Sequence, residues 1–217
     1  MSFQNLFYFL HDLNKNNHKE WMDAHRKEYH AVRDWYKNWL EALDSELAKI
    51  DPNYSHTPSK KAINRINNNL MFHPNKPVYK DHFGAGVDMV RGECDFYIHL
   101  GINECFLASG FYKPEPKTLK SIRDAIDYNG EELKKILNKK SFKKYFPELM
   151  QDDILKTAPK GFAKDHPHID LLRLKSFAVA HPITREQVLQ DDFMEFLIAV
   201  YKEVLPFRNY LNEAVSV

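Results

Sequence analysis

The 217-residue chain carries 31 Lys and Arg against 30 Asp and Glu, a formal charge of +1, so no bulk field draws it to nucleic acid or to an anionic membrane. Apolar residues make up 43%, with 15 Phe, 11 Tyr and 3 Trp, which is enough for one large aromatic core and excludes intrinsic disorder. The two cysteines, Cys94 and Cys105, are too few for a disulfide scaffold and lack CxxC spacing, which suits a reducing cytoplasm.

No window reaches the ~20 apolar residues of a membrane span. The N-terminus has no basic region followed by an apolar stretch and a cleavage site, and reads as mature sequence. We therefore expect a soluble, cytoplasmic protein folded as a single domain over residues 1–217.

In chain order, Leu6, Phe7, Leu10 and Leu13 recur at helical spacing after Ser2 and stop at Lys15-Asn16-Asn17, which predicts a first helix. From His18 to Ile50, Met22, His25, Tyr29, Val32, Tyr36, Trp39 and Leu43 describe one long amphipathic helix ended by Pro52, its apolar stripe packed on the core. Between Asp51 and Val90, four prolines, Asn67-Asn68-Asn69 and Gly84-Ala85-Gly86 argue against any long regular element.

Alternation from Cys94 to Leu100, the turn Gly101-Ile102-Asn103, and a second run from Glu104 to Tyr112 predict a β-hairpin. In that register Cys94 faces Phe111 rather than Cys105. Thr118 is expected to cap a helix interrupted at Gly130, and Phe142, Tyr145 and Phe146 lie on a short one. Leu174 to Ile183 reads as a strand. Thr184 with Gln187 fits a capping box, and a closing helix follows Asp191, with Pro206 expected to kink or break it. Helices at both ends and antiparallel strands between them predict an α+β fold with helices on one face of the sheet.

The stretch Arg65 to Gly86 concentrates hydrogen-bond donors. Arg65, Lys76, Tyr79, Lys80 and His82 share it with four Asn, and a surplus of donors over carboxylates suits an anion. The same stretch also reads as a solvated loop of Asx-turns. Gly84-x-Gly86 lacks a third glycine and a preceding strand, and no P-loop pattern occurs, so standard nucleotide motifs are excluded.

Asp95, Tyr97 and His99 are expected on one strand face, as acid–base groups or as a half-solvated sheet surface. Asp165-His166-Pro167-His168-Ile169-Asp170 has the chemistry for a divalent ion but the spacing of a turn and N-cap, and we expect neither metal nor cofactor. Signature nucleophile and zinc-protease motifs are absent.

Four groups of residues resemble the microbial family called domain of unknown function 2461: Phe9 through Trp21 with His25-Arg26 and Tyr29; Arg65-Ile66 through Phe72 with Lys76, Tyr79 and Lys80; Phe96 through Leu100 leading to Gly110 through Glu115; and Pro159 through Phe162 with Asp165-His166-Pro167 and Leu171-Leu172. The resemblance spans nearly the whole chain. It implies the α+β fold and a bacterial, cytoplasmic setting, and it supplies no reaction. Where that family runs Arg-Ile-x-Arg-Asp-x-Arg-Phe, this chain has Arg65-Ile66-Asn67-Asn68-Asn69-Leu70-Met71-Phe72, so an Asp and two Arg are missing.

Two functions follow from the sequence. The first is a cleft between the 65–86 loop and the hairpin that binds an anionic small molecule, phosphorylated ones included, through Arg65, Lys76, Lys80 and His82, with Tyr79 and Tyr97 as walls and His99 and Lys160 approaching it. The second is a non-catalytic interaction module, or a homo-oligomer, that uses the long helix. Whether the protein is an enzyme stays open at this level.

Overall fold

The computed structural model describes residues 1–216. Its elements are α1 (Phe3–Lys15), α2 (Lys19–Ala24), α3 (Arg26–Leu47), α4 (Ser59–Ala62), β1 (His82–Val87), β2 (Phe96–Gly101), β3 (Cys105–Phe111), α5 (Pro116–Asn138), α6 (Lys140–Tyr145), α7 (Ile169–Leu172), β4 (Phe177–Ile183), α8 (Arg185–Val188) and α9 (Phe193–Val215). The strands form one antiparallel sheet in the order β1-β2-β3-β4, so the fold is α+β as expected. Among the described residues no helix is long and apolar enough to cross a membrane. The chain packs into two compact units, residues 1–89, 97–107 and 182–198 in the first, and 90–96, 108–181 and 199–216 in the second.

In the first unit, the Ser2 hydroxyl accepts from the Asn5 N–H and opens α1, whose Leu6, Phe9, Leu10 and Leu13 are fully buried. The long helix expected from His18 to Ile50 is two helices. His25 leaves helical geometry at φ −105°, ψ 13°. Its ring lies on Trp21, centroids 4.0 Å apart, and is hydrogen-bonded through Nδ1 to the Trp21 carbonyl at 2.8 Å. A local side-chain bond to a backbone group competes with the helical ladder and lets the chain turn there.

Of the stripe expected from periodicity, Met22, Val32, Tyr36 and Leu43 are at most 2% exposed, His25, Tyr29 and Trp39 are half-buried, and Leu40 and Leu47 join the buried set. Phe83 of β1 joins this core, its ring 6.4 Å from Phe9, 6.4 Å from Tyr29 and 5.9 Å from Tyr36. Two helices thus cover one face of β1 with aromatic surface, the large apolar contribution such packing makes.

Strand β1 lies inside the stretch expected to lack a regular element, and Gly84-Ala85-Gly86 runs through it. Two close approaches explain why glycine is compatible with a strand here. A Cβ on Gly84 would meet the Tyr97 hydroxyl at 2.4 Å and Asn64 Nδ2 at 3.0 Å, so the position is cleared for neighbouring side chains rather than for a turn. The other edge of β1 is engaged as well, because Asn64 N–H donates to the Gly84 carbonyl at 2.8 Å and Ile63 bridges Ala85.

In the second unit, α5 begins at Pro116, with Glu115 as N-cap, so Thr118 lies inside the helix and does not cap it. Proline is well placed there, since its missing N–H has no helical partner in the first turn. The expected interruption falls on Asn129, at φ −140°, ψ 42°, one residue before Gly130. The Thr184–Gln187 capping box is formed, in the first unit. Helix α9 continues through Pro206 to Val215, so the proline does not break it. Phe96 packs on Tyr201 of α9 at 5.4 Å, and Cys94 accepts order from the same helix: its N–H donates to Asn212 Oδ1 at 3.0 Å. Cys94 and Cys105 are both free and buried.

Candidate functional site

Residues 63–68 run antiparallel to 78–85 as a ribbon. Lys80 N–H donates to the Ile66 carbonyl at 2.7 Å and Asn68 N–H to the Val78 carbonyl at 3.0 Å, while Asn67 bridges Tyr79. The amide of Asn17 clasps the outer edge. Its Nδ2 donates to the Tyr79 carbonyl at 3.0 Å and its Oδ1 accepts from the Tyr79 N–H at 2.8 Å, replacing a strand neighbour. The ribbon tip leaves Met71 and Phe72 exposed by 81% and 71%.

The site residues expected from sequence fall into two groups and two outliers. The first group is cationic. Lys80 is half-buried, and its Nζ donates to the Arg65 carbonyl at 2.7 Å. Burial first, and then the charges of Arg65 and Lys76, hold its amine below the ordinary lysine range. Arg65 and Lys76 therefore both lie within electrostatic reach of Lys80, and among the described residues none of the three forms an ion pair with a carboxylate.

The second group is a set of imidazoles on β1 and β2. The rings of His82 and His99 lie 4.0 Å apart at 29°, and His99 stacks in turn on Phe106 of β3 at 4.4 Å and 11°. Asp81 orients His82 through a 3.0 Å bond from its Oδ1 to Nδ1, and Asn103 Nδ2 donates to the other carboxylate oxygen at 2.9 Å. Burial works against the Asp81 charge, but the bonds from His82 and Asn103 together keep its carboxyl below the usual range. A carboxylate only accepts, so the His82 proton sits on Nδ1 and Nε2 carries the lone pair.

His99 is 8% exposed. Burial, and then the neighbouring His82, push it down to about 4, so it is neutral at pH 7. Its Nδ1 is 3.4 Å from the Tyr97 hydroxyl. With that O–H donating, the proton of neutral His99 sits on Nε2. Gly101 is closely packed, since a Cβ there would meet the Glu104 carbonyl at 2.7 Å, His99 Nε2 at 3.1 Å and His82 Cβ at 3.2 Å.

Tyr79 and Lys160 belong to neither group. Tyr79 is 5% exposed; burial first, then Asp23 and Glu20 of α2, raise its hydroxyl, with Arg26 opposing, so its neighbours are those of α2 rather than the cationic group. Lys160 is exposed in a turn of the second unit. Asp95, expected on one face with Tyr97 and His99, precedes β2 and is part of the second unit, where burial raises its carboxyl.

Within the His/Asp run of the second unit, His166 is engaged by protein at both ring nitrogens. His166 Nδ1 accepts from the His168 N–H at 3.0 Å and Nε2 is bonded to Asp127 at 2.8 Å, leaving neither ring nitrogen for a ligand. Among the described residues no group of three or more His, Cys, Asp and Glu is arranged to hold a metal ion.

Asp81, Asn103 and Phe106 went unrecognised in the sequence. The adjacency Asp81-His82 was its one local signal, and its meaning depends on β1 pairing with β2, which a stretch rich in Gly and Pro concealed.

A one-sheet α+β protein with a basic ribbon running directly into a carboxylate-oriented imidazole pair is the class that this geometry defines. Over residues 5–210 the chain matches the family described as "Conserved hypothetical protein (DUF2461)", and it belongs to that family. No curated protein and no solved structure shows significant similarity to it.

Proposed function

We propose that the protein binds an anionic small molecule, phosphorylated metabolites included, through Arg65, Lys76 and Lys80, with His82, His99 and Tyr97 as the neighbouring polar surface. The observation that carries this reading is that Lys80 lies in the field of Arg65 and Lys76 while, among the described residues, none of the three forms an ion pair with a carboxylate. Holding like charges together costs free energy, which a bound anion offsets. Arg65 supplies a planar fork and Lys80 a point charge, a pair suited to orienting and neutralising a phosphate. Asn68, Asn69 and Met71 stand where the family resemblance implies an Arg, an Asp and an Arg, so affinity rests on fewer cations here.

The test is a thermal-shift panel of phosphorylated and carboxylated metabolites. Some should raise the melting temperature of the wild type by mass action, and Lys80→Ala should abolish that rise while leaving the unliganded protein folded. A panel with no shift, or shifts that survive loss of both Arg65 and Lys80, would overturn the reading.

The second reading is a non-catalytic interaction module. Beside the long helix first expected to serve it, the exposed Met71 and Phe72 at the ribbon tip support this reading. Sedimentation of the wild type against Met71→Ser/Phe72→Ser separates the two.

A further inference from the structure

The imidazole pair does more than donate hydrogen bonds. We propose that the β1–β2 face is a hydrolytic centre for a phosphodiester, in which His82 is the general base and His99 the neutral donor to the leaving oxygen. Three features of the geometry carry this.

First, His82 is oriented and tautomerically fixed. Asp81 accepts a hydrogen bond from its Nδ1–H at 3.0 Å and is itself held by Asn103 at 2.9 Å, a carboxylate–imidazole arrangement that leaves Nε2 as a directed base. Second, His99 lies against it with centroids 4.0 Å apart and is fixed on its other side by the Phe106 ring. Among the described residues its Nε2 has no hydrogen-bond partner, and neutral imidazole can act as an electrophilic donor to a developing oxyanion. Third, the lack of a side chain at Gly101 lets the end of β2 pass close to both histidines, since a Cβ there would lie 3.1 Å from His99 Nε2 and 3.2 Å from His82 Cβ.

In the step itself, His82 Nε2 takes a proton from water as the water oxygen bonds to phosphorus. The bond from phosphorus to the leaving alcohol oxygen breaks while the neutral His99 donates a hydrogen bond to that oxygen, and the His82 imidazolium then supplies the proton that completes the alcohol. A diester and water give a monoester and an alcohol, with no redox partner needed.

The substrate class rests on the anion-binding reading above. A diester is chosen over a monoester because the ionised Asp81 directly behind His82 repels a dianion more than a monoanion.

The experiment uses the full chain with bis(p-nitrophenyl) phosphate, p-nitrophenyl phosphate and p-nitrophenyl acetate. We expect turnover of the diester, a fall of about 100-fold or more in kcat for His82→Gln, the scale of general-base loss, and partial recovery of His82→Ala activity on adding free imidazole. Asp81 is a positioning residue, so Asp81→Asn should lower kcat with KM little changed.

Diester turnover that is equal in the wild type and in folded His82→Gln overturns the proposal, as does recovery by imidazole of no activity in a folded His82→Ala. Hydrolysis of the acetate alone overturns the phosphodiester assignment. A wild type that shows anion-induced melting shifts without diester turnover sinks this inference and leaves the binding reading standing, whereas absence of both sinks the two together.

Discussion

The His168 ring lies where a side chain on Gly130 would have to be: a Cβ built on Gly130 comes within 2.5 Å of His168 Cδ2 and 2.6 Å of Cγ. Gly130 is buried within α5, and His168 is 6% exposed. Helix propensity alone favours alanine there by about 1 kcal/mol. The contact reverses the sign. Gly130→Ala should destabilise the protein by about 1–3 kcal/mol through overpacking, read as a lower midpoint in urea. His168→Ala should erase that specific penalty in the double variant, and strictly additive losses would show that the ring is not what excludes the methyl group.

Asp44 is a wholly buried carboxylate that ties α3 to the following loop. It accepts from the Tyr54 hydroxyl at 2.5 Å and from the Thr57 N–H at 3.0 Å, and His56 contacts its other oxygen. Asp44→Ala strands buried donors and should cost about 3 kcal/mol, while Asp44→Asn keeps an acceptor and should cost less. Equal losses in chemical denaturation would show that packing, not hydrogen bonding, sets the cost.

Leu43 lies on the α3 stripe at 0% exposure. Truncation to alanine removes transfer energy and leaves a cavity, together about 2–5 kcal/mol. The denaturation midpoint of Leu43→Ala should fall accordingly.

The pH dependence of stability should carry a His99 signature. The unfolded chain takes up this proton near the ordinary histidine value, whereas the folded protein, in which burial and His82 oppose the charge, takes it up only at about 4. As pH falls through that window the unfolded state binds a proton that the folded state refuses, so stability drops on acidification and its full value is present above the ordinary value. His99→Asn should flatten the slope of midpoint against pH between about 6.5 and about 4. An unchanged slope would mean that His99 is protonated in the folded protein as readily as in the unfolded one.

Local chemistry determined much of the architecture without reference to the rest of the chain. The α1 cap at Ser2, the buried α3 stripe, the Gly101–Asn103 hairpin turn and the Thr184–Gln187 box are each set by residues a few positions apart, where helical or alternating periodicity reports directly on burial. The basic group was legible in the same way, because Arg65, Lys76 and Lys80 sit within one short stretch of donors.

Only the tertiary structure decided that β1 is a strand. Its glycines signal turns locally, and they are tolerated in a sheet because Tyr97 and Asn64 close on Gly84 from other segments. The same non-local pairing brings His82 to His99 and Asn103 to Asp81, while Tyr79 turns to α2 under the clasp of Asn17, 62 positions away in the chain. Strand register and long-range side-chain bonds arise from contacts whose partners are far apart in sequence, and composition and periodicity within a window carry no information about them.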